Sequence, residues 1–329
     1  MTHHYHVVTI GGGGGATQVL KAVELFAARR TAIIAVTDTG RSTGLARRIH
    51  NIPAPGDLRA TIAAFAEDTV IAHMLQHRLS GEGAPQLEGM AFGNMLLGTM
   101  TNVLGDFAAA VEHVRKLARC RVDVLPVSTA NTQLCAELAD GAIVETELAV
   151  RGLHKPPITR LFLSNAAAAY APALEAIRDA DLVVLGPGSL FTTVLANLLF
   201  DGVAEALQAA RGAVVYVCNT TTQPGQTDGF TALDHVHWVA RLVGPGALNA
   251  TLINNSVPDP AALRQYEAEG LYLLQPTEAE IADIAALGVQ PIVRELTETV
   301  GAKRALWNKQ DTVRHDLEAL GTTLREALK

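Results

Sequence analysis

Five consecutive glycines, Gly11 to Gly15, separate the apolar β-branched run Val7 to Ile10 from a segment patterned as a helix. Glycine loses the most conformational freedom on folding, so an unbroken run is kept only where positive φ or close backbone approach is required. Gly11, Gly13 and Ala16 fit the Gly-x-Gly-x-x-Gly/Ala spacing of a dinucleotide turn, which sets backbone N–H groups at a helix start where an anion can sit. Gly12, Gly14 and Gly15 complete the proposed cradle. Asp38 closes the next apolar run, somewhat later than the ribose-reading acid of that fingerprint. The spacing alone leaves NAD, a flavin, a nucleotide sugar and a ligand-free tight turn all open.

Four further loops carry groups suited to phosphate or sugar. The stretch "TDTGRSTG" sets Asp38, Arg41, Ser42 and Thr43 together, so that hydroxyls can cradle a phosphate and a guanidinium can neutralise it; an ordinary helix-capping turn reads the same way. In "PAPGDLR", Asp57 is either a site acid or a plain N-cap with Arg59 on the surface. Asn94 stands in an apolar helix, where a buried amide must find partners, a ligand among them. Gly188 and Ser189 follow a strand and open a helix, a natural contact for phosphate or ribose, without the lysine of a P-loop. Asn219, Thr222 and Asp228 lie downstream of another strand. His73 with His77, and His235 with His237, are histidine pairs lacking the cysteine and histidine set of structural zinc, so no metal ligands are assigned from spacing.

The elements that must position these loops alternate strand and helix. "HVVTI", "AIIAV", "LVVLG" and "VVYVC" each end in a Gly-, Ser-, Thr- or Asn-rich loop, and at least the first and third lead into amphipathic helices. This predicts an α/β, Rossmann-like, doubly wound and mostly parallel sheet, whose ligand sits outside the carboxyl ends of the strands. The core sheet is expected from about 1–120 and 165–255. A β-hairpin insertion is expected at about 121–164, turning in two residues at Asp140-Gly141, and a helical C-terminal part at about 256–329.

With 329 residues, 49% of them apolar, the chain can bury a large core. A net charge of −7 without long basic blocks argues against a nucleic-acid surface. Cys120, Cys135 and Cys218 make no disulfide framework and read as packing residues. The first residues show no secretory pattern, and the longest apolar stretch is broken by Gly-Pro-Gly-Ser, so a cytoplasmic protein without a membrane span is expected. Small molecules, proteins or further copies of the chain are the expected partners.

Taken in order, "GGGGGATQVLKAV", "VTDTGRSTGLAR", "PAPGDLR", "GMAFGNMLLGTMTNVLGDFAAAV", "AELADGAIVETE", "AIRDADLVVLGPGSLFTTVLANLL" and "VYVCNTTTQPGQTDGFTALDHV" resemble the CofD/YvcK family. The likeness is nearer to its YvcK-like branch, the gluconeogenesis factors. It covers about Val7 to Val239 and thins beyond, to "YEAEG" and "RHD". The resemblance implies a single CofD-like domain that binds a nucleotide or nucleotide sugar. It also implies a regulatory role, through a metabolic enzyme, in carbon metabolism, cell-wall precursor supply and cell shape. YvcK-like members are linked to UDP-N-acetylglucosamine through a Tyr and an Arg, which by motif fall on Tyr266 and Arg314. The alternative is a magnesium-dependent transferase of the CofD branch, moving a phospholactyl-type group onto a deazaflavin, with Asp38, Asp57 and Asp228 as candidate acids.

Two departures bear on that choice. The family's second acid after Thr-Asp is replaced by Thr39, and its Gly-His-Ser becomes Gly89-Met90-Ala91. Losing a carboxylate weakens a magnesium site and leaves phosphate binding intact.

Overall fold

The computed structural model describes residues 5–81, 85–298 and 313–328. Its ten strands in chain order are β1 (Tyr5–Gly11), β2 (Ala27–Ile34), β3 (Asp123–Pro126), β4 (Leu134–Leu138) and β5 (Ile143–Glu145), then β6 (Ile158–Leu163), β7 (Leu182–Leu185), β8 (Ala213–Val217), β9 (Ala250–Asn254) and β10 (Gln290–Arg294). Seven of them form one sheet in the order β10-β9-β8-β7-β1-β2-β3. All its pairings are parallel. Continuous apolar strands suit a sheet covered on both faces: Val7, Val8, Ile10 and all of β7 are buried.

The order of strands fixes where a ligand can sit. From β1 the chain builds outward through β2 to β3, returns to the other side of β1 at β7, and builds the opposite way to β10. The crevice lies where the winding reverses, between the carboxyl ends of β1 and β7. There Ile10 pairs with Leu185, so the glycine loop and the Gly186-Pro187-Gly188-Ser189 loop leave the sheet side by side.

Two boundaries differ from the sequence reading. Asp123–Pro126 lies within the stretch expected to be an insertion but extends the main sheet as an edge strand, because Val124 packs into the central core. The separate antiparallel sheet, β5-β4-β6, occupies residues 134–163. Its hairpin closes through the three residues 139–141, with Gly141 at φ 84° and the Asp140 carboxylate accepting from the Ala142 N–H. In the C-terminal part, β10 adds the last sheet strand among helices Pro260–Glu267, Glu278–Ala286 and Leu317–Glu326.

Five helices carry the nearer half of the site: α1 (Gly13–Ala22), α2 (Arg41–His50), α3 (Gly56–Ala64), α4 (Thr69–Gln76) and α5 (Phe92–Leu104). The glycine run is explained mostly by how tightly they pack. A Cβ on Gly12 would meet Asp57 Oδ2 and Thr193 at 2.8 Å, and one on Gly13 would meet the Asp57 carbonyl at 2.9 Å. Gly15 lies against the Pro187 carbonyl, which its Cβ would overlap. Gly14 alone of the five has nothing within 4 Å of the Cβ position.

Gly15→Ala is therefore expected to destabilise the fold by roughly 1–3 kcal/mol, the range for overpacking against backbone. Gly14→Ala should be neutral or stabilising, since alanine is the better helix former by about 1 kcal/mol. Thermal melting of both variants checks the pair, and equal melting would refute the packing account.

Candidate functional site

Loops from both halves of the sheet, with the segment that enters the last helix, enclose a cavity of about 1010 Å³. One wall is α1, where Gly14, Thr17, Gln18 and Lys21 follow one helix face at spacings of three and four. The second wall is the loop after β2 with α2 and α3, contributing Asp38, Ser42, Thr43, Asp57 and Arg59. Gly188, Asn219 and Gln223 come from the loops after β7 and β8, while Arg314 and His315 close the space from the C-terminal segment. That segment is held there because the last helix packs on α1, with Gly321 against the Ala22 carbonyl.

Of the residues expected from sequence, Gly13, Gly14, Gly15, Asp38, Ser42, Thr43, Asp57, Gly188, Asn219 and Arg314 line this one cavity. Gly11 and Gly12 lie beneath it, buried. The side chain of Arg41 is outside the described residues. Asn94 finds its partners within the chain: its amide donates to Ser42 Oγ at 3.0 Å and its oxygen accepts from Arg59 Nε at 3.1 Å. It orients two wall residues and does not itself reach the space. Ser189 is likewise engaged inward, donating to Gln226 at 2.8 Å. Thr222 braces the Gly270–Tyr272 turn, and Asp228 accepts from the Gly225 N–H at an exposed bend. Tyr266 is buried with Leu271 and Val313 and does not line the cavity.

Asn219 ties the two far loops together, donating to the Gly188 carbonyl at 2.8 Å and accepting from the Tyr216 hydroxyl at 3.2 Å. On the other side Arg47, buried in α2, is the equivalent brace. Its guanidinium donates to the carbonyls of Thr37, Asp38 and Thr132 and to the side chains of Asn131 and Gln133. Those bonds hold the Asp38 loop against the start of β4.

Sequence reasoning missed Glu147, because nothing in "VETEL" tells which acid turns inward. Glu147 opens the short helix Glu147–Val150 that follows β5, 5% exposed, with Oε2 accepting from the Thr39 N–H at 3.3 Å and Oε1 3.4 Å from Arg151. Burial first, then the Asp38 charge and a hydrogen bond to Asp38, push the Glu147 carboxyl up to about 8. At neutral pH Glu147 thus holds a proton toward Asp38, and the two carboxyls act as a pair carrying one negative charge. His315, also missed, is buried and driven down to about 4 by desolvation, so it is a neutral imidazole in the cavity wall. Among the described residues no group of three His, Cys, Asp or Glu side chains is placed to hold a metal ion. His235 is a core residue whose Nδ1 bonds the Thr231 carbonyl.

A family model described as 2-phospho-L-lactate transferase CofD matches residues 7–297. The chain belongs to the CofD family. Within it, similarity runs to proteins named gluconeogenesis factor. The chain is 34% identical to that of Bacillus subtilis over 98% of both chains. To the Halalkalibacterium halodurans protein it is 37% identical over 87% of this chain and 88% of the relative. The crystal structure of protein BH3568 from Bacillus halodurans superposes with a TM-score of 0.87 at 34% identity, covering 98% of this chain and 99% of the other. The solved relative shares the fold, a mostly parallel sheet flanked by helices, that the alternating sequence pattern requires. No helix among the described residues is long and apolar enough to cross a membrane.

The carboxyl pair makes stability depend on pH in a definite direction. Folded Glu147 keeps its proton up to about 8, whereas the unfolded chain releases it near 4.5. Its contribution to folding is fully present below the unfolded value and is lost as pH rises through the folded one. Glu147→Gln removes that titration. Relative to wild type the variant should gain melting temperature between pH 5 and pH 8; a difference independent of pH would show Glu147 ionised throughout.

Proposed function

We propose that this CofD-family chain is a binding and regulatory protein whose cavity takes a nucleotide sugar, UDP-N-acetylglucosamine being the first ligand to test. One observation carries the reading. The chain has a net charge of −7, yet Lys21, Arg59, Arg78, Arg151 and Arg314 line the cavity together with Asp38, Asp57 and Glu298, a positive excess within an acidic protein. Such a cleft gathers anions. The diphosphate is assigned to the start of α1, where backbone N–H groups are unpaired within the helix and Gly14 leaves open space. Arg314 would supply a charge-assisted bond to the ribose or diphosphate. Tyr266, packed on Val313, would act by holding the Arg314 segment rather than by stacking on the base. The names of the relatives support a role in gluconeogenesis, exercised on a partner enzyme in the cytoplasm; the links to cell-wall precursor supply and cell shape belong to the same reading.

The Asp38–Glu147 pair favours a second reading, a CofD-like transferase. A transferase needs a group to take the acceptor's proton, and a carboxyl pair sharing one proton at the cavity wall is suited to that task. Asp38 and Asp57 are the carboxylates that would hold a magnesium ion together with a ligand phosphate, and the ion would offset charge on the leaving phosphate.

Calorimetric titration with UDP-N-acetylglucosamine, NAD and a deazaflavin separates these readings. The nucleotide sugar is expected to bind, and Arg314→Ala to cost on the order of 1.5–3 kcal/mol of that affinity. Gly14→Val should weaken binding at least as much while melting like the wild type, because its Cβ enters open space with no protein atom within 4 Å. Wild-type affinity in both variants would remove the start of α1 and Arg314 from the site. Binding of the deazaflavin alone would return the assignment to the transferase.

A further inference from the structure

Among the described residues four hydroxyl side chains line the cavity, those of Thr17, Ser42, Thr43 and Thr220. Three of them are engaged within the protein. Thr17 Oγ1 donates to the Gly13 carbonyl at 2.7 Å, and Thr220 Oγ1 to the Val313 carbonyl at 2.6 Å. Ser42 Oγ accepts from the Ala91 N–H at 2.8 Å and from Asn94 Nδ2 at 3.0 Å, and donates to Met90 Sδ at 3.3 Å. Thr43 is the exception. It stands in the first turn of α2 at 6% exposure, and its hydroxyl makes no hydrogen bond among the described residues. Nor is that hydroxyl one of the polar atoms sealed from solvent, so it opens on the cavity that the residue lines. A buried polar group of this kind calls for a partner, and the cavity is where one can come from.

Its surroundings decide the chemistry of that partner. A Cβ on Gly56 would overlap the Thr43 hydroxyl and lie 3.6 Å from Asp38 Oδ2, so the two oxygens stand on the same side of Gly56, which itself lines the cavity. Asp38 is the ionised member of its pair with Glu147, and its Oδ1 accepts from the Gly40 N–H at 2.7 Å. A carboxylate only accepts, and each of its oxygens has room for more than one donor, whereas a threonine hydroxyl has one proton to give. An oxyanion placed between the two would meet like charge from Asp38. An amide N–H would leave the Thr43 proton without an acceptor. An alcohol satisfies both sides, because its oxygen accepts from Thr43 while its proton goes to Asp38.

We propose that Thr43 and Asp38 form a hydroxyl-recognising subsite for the sugar distal to the nucleoside, beside the backbone cradle at the start of α1. The inference rests on the nucleotide-sugar reading and adds which end of the ligand lies where. The two places adjoin, since a Cβ on Gly13 would meet the carbonyl of Asp57, the residue after Gly56, at 2.9 Å. A diphosphate seated at Gly14 thus presents its attached sugar to Thr43, with the ribose left to Arg314 on the C-terminal segment. Thr43 is on this account a specificity residue: it reads the sugar and does not hold the diphosphate.

Calorimetry on the full chain with UDP-N-acetylglucosamine and with UDP tests the subsite. The wild type is expected to bind the nucleotide sugar more tightly than UDP. Thr43→Val exchanges the hydroxyl for a methyl group on a side chain of the same shape. It should weaken nucleotide-sugar binding about five- to tenfold, the size of one lost hydrogen bond, and leave UDP binding unchanged. Thr43→Ser keeps the hydroxyl and should keep the preference for the sugar. Because the hydroxyl has no partner in the protein, Thr43→Val should melt at or above the wild-type temperature. A lower melting temperature would assign the hydroxyl to the fold and overturn the proposal. Equal affinity of the wild type for the two ligands, or an equal loss for both in Thr43→Val, would overturn it as well, since neither leaves Thr43 reading the distal sugar. Unchanged nucleotide-sugar affinity in Thr43→Val would remove the subsite and leave the nucleotide-sugar reading intact. Binding of neither ligand by the wild type would defeat that reading and this inference with it.

Discussion

The contact on which this molecule depends is backbone against backbone at the sheet's reversal point. Gly11 lies beside Gly186, and Gly15 against the Pro187 carbonyl. Two strands that are neighbours in space and far apart in sequence must both release their chains into the same crevice. Side chains there would push the loops apart and separate the two halves of the cavity. The glycines therefore serve closeness first, and the opening left at Gly14 is what remains for a ligand once the chain has packed on itself.

Everything else in the site is arranged around that junction by braces that are themselves polar and at least half-buried. Arg47 holds the Asp38 loop against the small antiparallel sheet, Asn219 joins the loops after β7 and β8, and Asn94 orients both Ser42 and Arg59. Arg47 and Asn94 are buried and Asn219 half-buried, and away from water hydrogen bonds are electrostatically stronger and unpaired groups more costly. Ser42 and Arg59, which face the cavity, thus take their positions from Asn94, which does not.

The small sheet, read from sequence as an insertion, has a specific part in this arrangement. The short helix Glu147–Val150, which follows its strand β5, carries Glu147 to the Asp38 loop. Thr39 meets that helix twice: its N–H donates to Glu147, and its hydroxyl accepts from the Leu148 N–H at 3.3 Å. A second carboxyl thus stands beside Asp38, arriving from a different element and holding its proton there.

Local pattern alone was enough to determine the parallel sheet, its glycine turn and the loops bearing Asp38, Asp57, Gly188 and Asn219, because strand and helix periodicities and turn residues are properties of neighbours in the chain. It could not say that Asp123–Pro126 and β10 join the main sheet, since a short run of mixed character becomes a strand only when an open edge pairs with it. Nor could it tell that Arg59 is buried among neutral hydrogen-bond partners rather than on the surface, that Asn94 is satisfied within the protein, or that Glu147 turns toward Asp38. Those outcomes depend on which groups meet across more than thirty residues of chain, and hence on burial and charge, which exist only once the layers have packed.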